Sequence, residues 1–366
     1  MDRLSLLRVA ALTGVEVYAT SRLADLPATI FPSPAQAVFS SRPWYETVIT
    51  DALPAAATPC FVVARESEAR AVFALRREHA AVASLTTPYT CLYAPIFAPD
   101  LSAAARLAAA TGFARFCRRE AVIRLDALAS EAPETESLIA GARAAGFIVR
   151  PFRHFGNWHE PLAGRDFAAY LADRPGPLRE TIRRKRRRAG GRTTLTIYRN
   201  EDGIADGIAA FEHVYARSWK EPEPYPAFNP ALMRALAPFG VVRLFILSDQ
   251  SGPIAAQFWI VGGGVASVLK LAHDEAARAL SPGTVLTAES ISTLIAEDRI
   301  SALDFGRGDD PYKALWTGAR RQRIGLLLIN PRRPAGLAAL GREIAGALTK
   351  PLRAQRRPHF GRHSTP

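Results

Sequence analysis

Between Lys270 and Trp316 the chain gathers residue types that acid–base and phosphate chemistry use. Lys270, His273 and Asp274 stand at or just past the end of an apolar run, Val265–Ala272. Arg278-Ala279-Leu280-Ser281-Pro282-Gly283-Thr284 follows, then Val285, Leu286, Ile291, Leu294 and Ile295 at helical spacing. Asp304 lies in the short run Ala302–Phe305, ahead of Gly306-Arg307-Gly308-Asp309-Asp310-Pro311-Tyr312-Lys313. From Val265 to Asn330 this pattern predicts strand, tight loop, helix, strand, helix, strand. A strand that feeds a helix through a short Ser/Gly turn aims free N–H groups and a positive helix end at one point. Such a point suits a diphosphate without help from a metal. Pro282 has no N–H to lose, Gly283 and Thr284 can offer theirs, and Gly283 lets a ligand come close. Arg278 can add a charge-assisted contact. Ser281-Pro282 also reads as an ordinary helix start.

The elements around these residues follow from periodicity. Val241–Leu247, Ile254–Val261 and Val265–Ala272 predict a three-stranded antiparallel meander, with turns at Asp249-Gln250-Ser251-Gly252 and Gly262-Gly263-Gly264. Ahead of it, Phe167–Leu171 and Leu178–Arg188 read as helices, Leu195–Tyr198 as a strand and Gly207–Trp219 as an amphipathic helix. Residues 222–230 form a proline-rich loop. The first half repeats the order with little sequence likeness. Pro59–Ala64, Ala69–Leu75 and Ala81–Thr86 predict a meander, and Leu101–Arg118 a helix with Asp100 as its cap. Then come the strand Ala121–Leu125, the helix Glu134–Ala145 ending at Gly146, and the strand Phe147–Phe152. Two copies of one mixed α/β unit are expected, residues 1–160 and 165–330, with the boundary in Trp158–Arg165 and a tail at 331–366.

Composition agrees with a two-unit globular chain of 366 residues that is 48% hydrophobic. Residues 1–18 do not read as a signal peptide, and no apolar run nears the roughly 20 residues that span a bilayer. Cys60, Cys91 and Cys117 are sparse and far apart, which fits a reducing cytoplasm and neither a disulfide framework nor a zinc site. There is no G-x-S-x-G, H-E-x-x-H or P-loop, so hydrolase, metalloprotease and NTPase readings have no support. Gly306-x-Gly308 lacks the third glycine of a dinucleotide turn.

The order of motifs resembles the GNAT acyltransferase fold, whose pyrophosphate loop carries Gln/Arg-x-x-Gly-x-Gly/Ala. Arg278 and Gly283 match that loop, while Ser281 replaces its first glycine. The series Arg179-x-x-x-Arg183-Arg184-Lys185, Tyr215-x-x-Ser218-Trp219, Ser281-Pro282-Gly283, Asp304-Phe305-Gly306-x-Gly308 and Tyr312-Lys313-x-x-Trp316 is similar to the CelD-like acetyltransferase domain. That domain is a FemAB-like branch built of two GNAT units. The specific resemblance spans about 165–330; over 40–160 it is architectural. It implies an acyltransferase that takes an acyl group, acetyl above all, from acyl-CoA. The acceptor would be the amine or hydroxyl of a small molecule or glycan, in cell-envelope or exopolysaccharide synthesis. It implies CoA at Arg278, Ser281, Gly283 and Thr284 and no metal. Tyr312 is then either the general acid for the leaving thiolate or a packing residue. His273 is either a base at the acceptor or a surface histidine, and Lys313 contacts substrate or water. Asp304 orients Lys270, Lys313 or the acceptor, or caps the next turn. Residues 87–99 lack a phosphate-type loop, so the first unit is expected to shape the acceptor cleft. FemAB-like relatives take aminoacyl groups from charged tRNA, which keeps a tRNA-dependent transferase open.

The net charge of +13 is concentrated. Arg179–Arg192 and residues 331–366 each hold eight basic residues against one acid, leaving the rest near neutrality. Such segments are solvated faces or attract nucleic acid, anionic lipid or a sugar phosphate. No aromatic residues interleave the first, which argues against a single-strand RNA platform. In the second, Leu337, Leu340, Ile344 and Leu348 predict an amphipathic helix over 335–350 beside a basic cluster. It either packs on the domain or lies on an anionic membrane surface. A non-catalytic polyanion-binding module is the remaining alternative.

Overall fold

A computed structural model describes residues 15–354 other than Ser67 and Asp309, with side chains as far as Ala345 apart from Ala69 and Ala189. Thirteen strands join in one sheet. The first half supplies β1 (Glu16–Thr20), β2 (Ala57–Arg65), β3 (Ala69–Glu78), β4 (Ala81–Ser84), β5 (Ile96–Phe97), β6 (Val122–Ala129) and β7 (Ile148–Pro161). The second supplies β8 (Thr194–Tyr198), β9 (Val242–Asp249), β10 (Gly252–Gly262), β11 (Val265–His273), β12 (Ala302–Arg307) and β13 (Ala319–Ile329). The helices are α1 (Arg42–Asp51), α2 (Ala103–Phe116), α3 (Pro133–Ala144), α4 (Phe167–Ala172), α5 (Gly176–Ala189), α6 (Ile204–Ala216), α7 (Phe228–Leu236), α8 (Pro282–Ala296), α9 (Pro311–Trp316) and α10 (Pro334–Ala354).

The order of both halves follows the hydrophobic pattern, and the fold is mixed α/β with a large, mostly antiparallel sheet and flanking helices. The strand path is β1-β2-β3-β4-β6-β13-β7-β12-β11-β10-β9-β8. The two halves therefore exchange their last strands. β13 runs antiparallel between β6 and β7, and β7 carries the second half's sheet by pairing with β12. Gly325 makes the β13–β7 contact possible, because a Cβ there would lie 2.1 Å from the Phe152 ring. The expected strand Phe147–Phe152 is longer, running to Pro161 and through the start of the expected boundary. Beyond it the chain is clamped: buried Arg174 reaches buried Glu160 at 3.0 Å, and Glu160 also accepts from the Gly318 amide.

In the second half both sheet faces are buried, so β9 alternates between two cores. Leu244 and Ile246 join the core that holds α6 and α7, while Phe245 and Leu247 meet α8 and α5. The expected loop at 222–230 gives way to α7 at Phe228. Pro230 lies in its first turn, where proline is tolerated. Two other readings change. Ser102, not Asp100, caps α2, accepting from the Ala105 amide at 3.2 Å, and Asp100 pairs with Arg70 instead. α6 stops at Ala216, which leaves Trp219 outside it and 48% exposed.

Candidate functional site

β11 and β12 pair in parallel only through Val265–Ala302, Ala266–Leu303 and Ser267–Asp304. β11 then continues to His273 and β12 to Arg307, and the strands part. Gly306, at φ 65°, turns β12 away; a Cβ there would sit 3.3 Å from the Val268 carbonyl and from Cys91 Sγ. A cavity of about 890 Å³ lies along the parting, walled by both strands, the start of α8, α9 and the proline-rich loop.

The loop before α8 winds as a 3-10 turn over Glu275–Leu280, started by Asp274, which accepts from the Ala276 amide. Arg217 holds Asp274 at 2.5 Å, and that hydrogen bond keeps the carboxyl below its ordinary range. Ser281 then takes the left-handed conformation, φ 52°, in place of the first glycine of the phosphate-type loop. Its side chain caps nothing; it serves α8 through its backbone turn alone. The Thr284 amide returns to the Ser281 carbonyl at 3.1 Å, so the expected pair of free amides narrows to Gly283. A Cβ on Gly283 would meet His273 Nδ1 at 3.3 Å. Lys185 of the basic helix α5 donates to the Ala279 carbonyl at 2.6 Å and fastens this loop from outside the cavity.

Arg278, Ser281, Gly283, Thr284, His273, Tyr312 and Lys313 all line the cavity. Tyr312 is anchored to α8: its hydroxyl lies 2.8 Å from Thr287 Oγ1 and 3.5 Å from the Gly283 carbonyl. Thr287 is fixed in turn by Gln257 at 2.6 Å, and Gln257 by buried Trp259 at 2.8 Å. Burial pushes the Tyr312 hydroxyl up to about 12, so it keeps its proton at neutral pH. Burial lowers the His273 imidazole, which lies tilted against Trp219 with ring centres 4.4 Å apart. Lys313 is also lowered by burial and donates to the Arg307 carbonyl.

Asp304 stands apart from this group. Alternation along β12 sends Phe305 to the first cavity and Asp304 to the other face of the sheet. There it accepts from Asn157 and the Gly306 amide at 2.7 Å and from Arg321 at 2.8 Å. It orients neither Lys270 nor Lys313; it fixes the Gly306 turn, the capping role weighed above.

Residues not singled out from the sequence complete the cavity. Glu223, in the proline-rich loop, accepts from Lys270 and from the Tyr215 hydroxyl. Burial works against its charge, but the Lys270 and Tyr215 hydrogen bonds outweigh that and hold Glu223 below its ordinary range. The Tyr89 ring lies under Lys270, 4.8 Å from its Nζ. Pro88, Tyr89 and Cys91 of the first half also line this cavity. Glu223 has no local signature, since a charged residue in such a loop reads as solvated. No group of three or more metal-ligating side chains occurs among the described residues.

Residues 177–314 match the family model described as Acetyltransferase (GNAT) domain. The match runs from α5 into α9 and takes in the phosphate-type loop and Tyr312. Among solved structures, the crystal structure of FemX is similar in fold, with a TM-score of 0.57 at 11% identity over 85% of this chain and 96% of that one. A tandem GNAT protein from the clavulanic acid biosynthesis pathway aligns over 85% of this chain and 98% of its own, at 11% identity and TM-score 0.42. L-PGS from Bacillus licheniformis aligns over 73% and 83%, at 11% identity and TM-score 0.46. No curated protein matches the sequence.

Proposed function

We propose that this protein is an acyltransferase that moves an acyl group from acyl-CoA to an amine or hydroxyl at the parting of β11 and β12. One observation carries the reading: the left-handed start of α8 and the Tyr312 hydroxyl, 3.5 Å from the Gly283 carbonyl, face one cavity. The diphosphate of CoA rests against the Gly283 amide with Arg278 beside it. The thioester lies between the parted strands, where main-chain groups no longer paired across the sheet polarise its carbonyl. The acceptor enters over Pro88, Tyr89 and Glu223. A neutral His273 takes its proton as it attacks the carbonyl carbon. The tetrahedral intermediate collapses, the carbon–sulfur bond breaks, and Tyr312 protonates the departing thiolate. Glu223 and Lys270, held to each other, supply opposite charges that orient a polar acceptor. The acceptor is a small molecule or a glycan.

Two features favour a second donor, aminoacyl-tRNA: the fold likeness to FemX, and basic α5 fastened to the loop before α8. The test is the melting temperature of the full chain with acetyl-CoA, a long-chain acyl-CoA or charged tRNA. A rise with acetyl-CoA or acyl-CoA that saturates supports the first donor. A rise with charged tRNA alone, falling steeply with salt, replaces it with the second.

A further inference from the structure

A second cavity, of about 330 Å³, lies on the Asp304 side of β12. Ser267, Asp304, Arg321 and Arg323 line it, with residues 36–40 across from them. Asp304 and Arg321 are committed: Arg321 spans Asp304 and Asn157 at 2.8 and 2.6 Å, and Asp304 also accepts from Asn157 and from the Gly306 amide, both at 2.7 Å. Arg323 is different. Its side chain is 4% exposed, and its Nε has no hydrogen-bond acceptor. Its ion-pair partner, Glu131, is 61% exposed at the rim and 3.6 Å from Nη1, beyond hydrogen-bond distance. A guanidinium keeps its charge at any physiological pH, so a buried one short of acceptors is held at a cost that an anion would remove.

We propose that the second cavity binds an acidic group, a carboxylate or a phosphate, through the guanidinium of Arg323. Two oxygens of one such group match the fork of the side chain. Arg321 adds positive potential from two positions along the same strand, while its own hydrogen bonds stay with Asp304 and Asn157. The inference needs only this cavity and its charges, whatever occupies the first one.

Calorimetric titration of the full chain with inorganic phosphate and, separately, with succinate tests it. Saturable binding of either is expected, and which of the two binds tells phosphate from carboxylate. Arg323→Gln removes a charge-assisted contact and should weaken that binding about tenfold or more. Ser267→Leu fills the cavity and leaves the charges alone; it should weaken binding similarly while the circular dichroism spectrum stays that of the parent. Binding should persist in Arg278→Ala, which disables the diphosphate site proposed for the first cavity; its loss there would assign the anion to that cavity and overturn the proposal. Absence of saturable binding by both probes overturns the proposal. So does undiminished binding in Ser267→Leu, which decides the matter should Arg323→Gln not fold.

Discussion

Tyr312 and Thr287 face each other hydroxyl to hydroxyl at 2.8 Å, joining α9 to the second turn of α8. This contact fixes the phenol over the start of α8, where the Thr287 hydroxyl also meets the Gly283 carbonyl at 2.8 Å. On the proposed mechanism, Tyr312→Phe removes the proton for the leaving thiolate along with the hydroxyl contact to Thr287, and keeps the ring. We expect kcat to fall by roughly 100-fold or more, with acyl-CoA-induced stabilisation unchanged. Steady-state kinetics beside thermal shift would show it; equal turnover reduces Tyr312 to a packing residue.

Gly283→Val places a side chain where the diphosphate is proposed to rest, with its Cβ 3.3 Å from His273 Nδ1. The variant should lose the rise in melting temperature with CoA. Its melting temperature without ligand should stay near that of the parent, because the new side chain faces the cavity. Persistence of the rise would move the cofactor elsewhere.

Glu223 links cavity chemistry to stability. Because Lys270 and Tyr215 hold its carboxyl below the ordinary value, its contribution is present above the unfolded carboxylate range, about pH 4.3. It is lost as pH falls through the lower folded value. The parent should therefore melt above Glu223→Gln at pH 6 to 7, and the gap should close on acidification. A gap that stays constant down to pH 3 would show that Glu223 is not held as an ion.

The tail helix α10 leaves Leu337 and Ile344 exposed, at 55% and 53%. No helix of the described residues is long and apolar enough to cross a membrane. Of the two expectations for this tail, packing on the domain or lying on an anionic membrane surface, the second would put the apolar stripe in the headgroup region and the basic residues after it against anionic lipid. The side chain of Leu348 and the cluster Lys350, Arg353, Arg356 and Arg357 lie outside the described side chains. Sedimentation with anionic vesicles should separate the full chain from one ending at Arg333. If both sediment alike, the tail is no anchor, and α5 is the segment to neutralise next.

Much of the second half was legible because its signals are local. Val241–Ala272 alternates between turn signals, and Ser281-Pro282-Gly283 marks the start of α8. What escaped depends on distant partners. Trp219 fits the period of α6, yet it leaves the helix to lie against His273. Glu223 and Tyr89 acquire their roles only when the loop after α6 folds over the first half. Asp304 reads as a candidate for the reacting centre, but one step along a strand reverses the face a side chain meets.

The exchange of β7 and β13 has a consequence for how the molecule is made. β6 ends at Ala129, and its neighbour β13 begins at Ala319. A nascent chain that has released the first half therefore carries an open sheet edge until the last strand leaves the ribosome. Neither half is a severable module: a fragment ending at residue 160 lacks the strand beside β6, and one starting at 165 lacks the strand beside β12. Mixed in solution, two such fragments would restore the sheet only together, as a complemented pair.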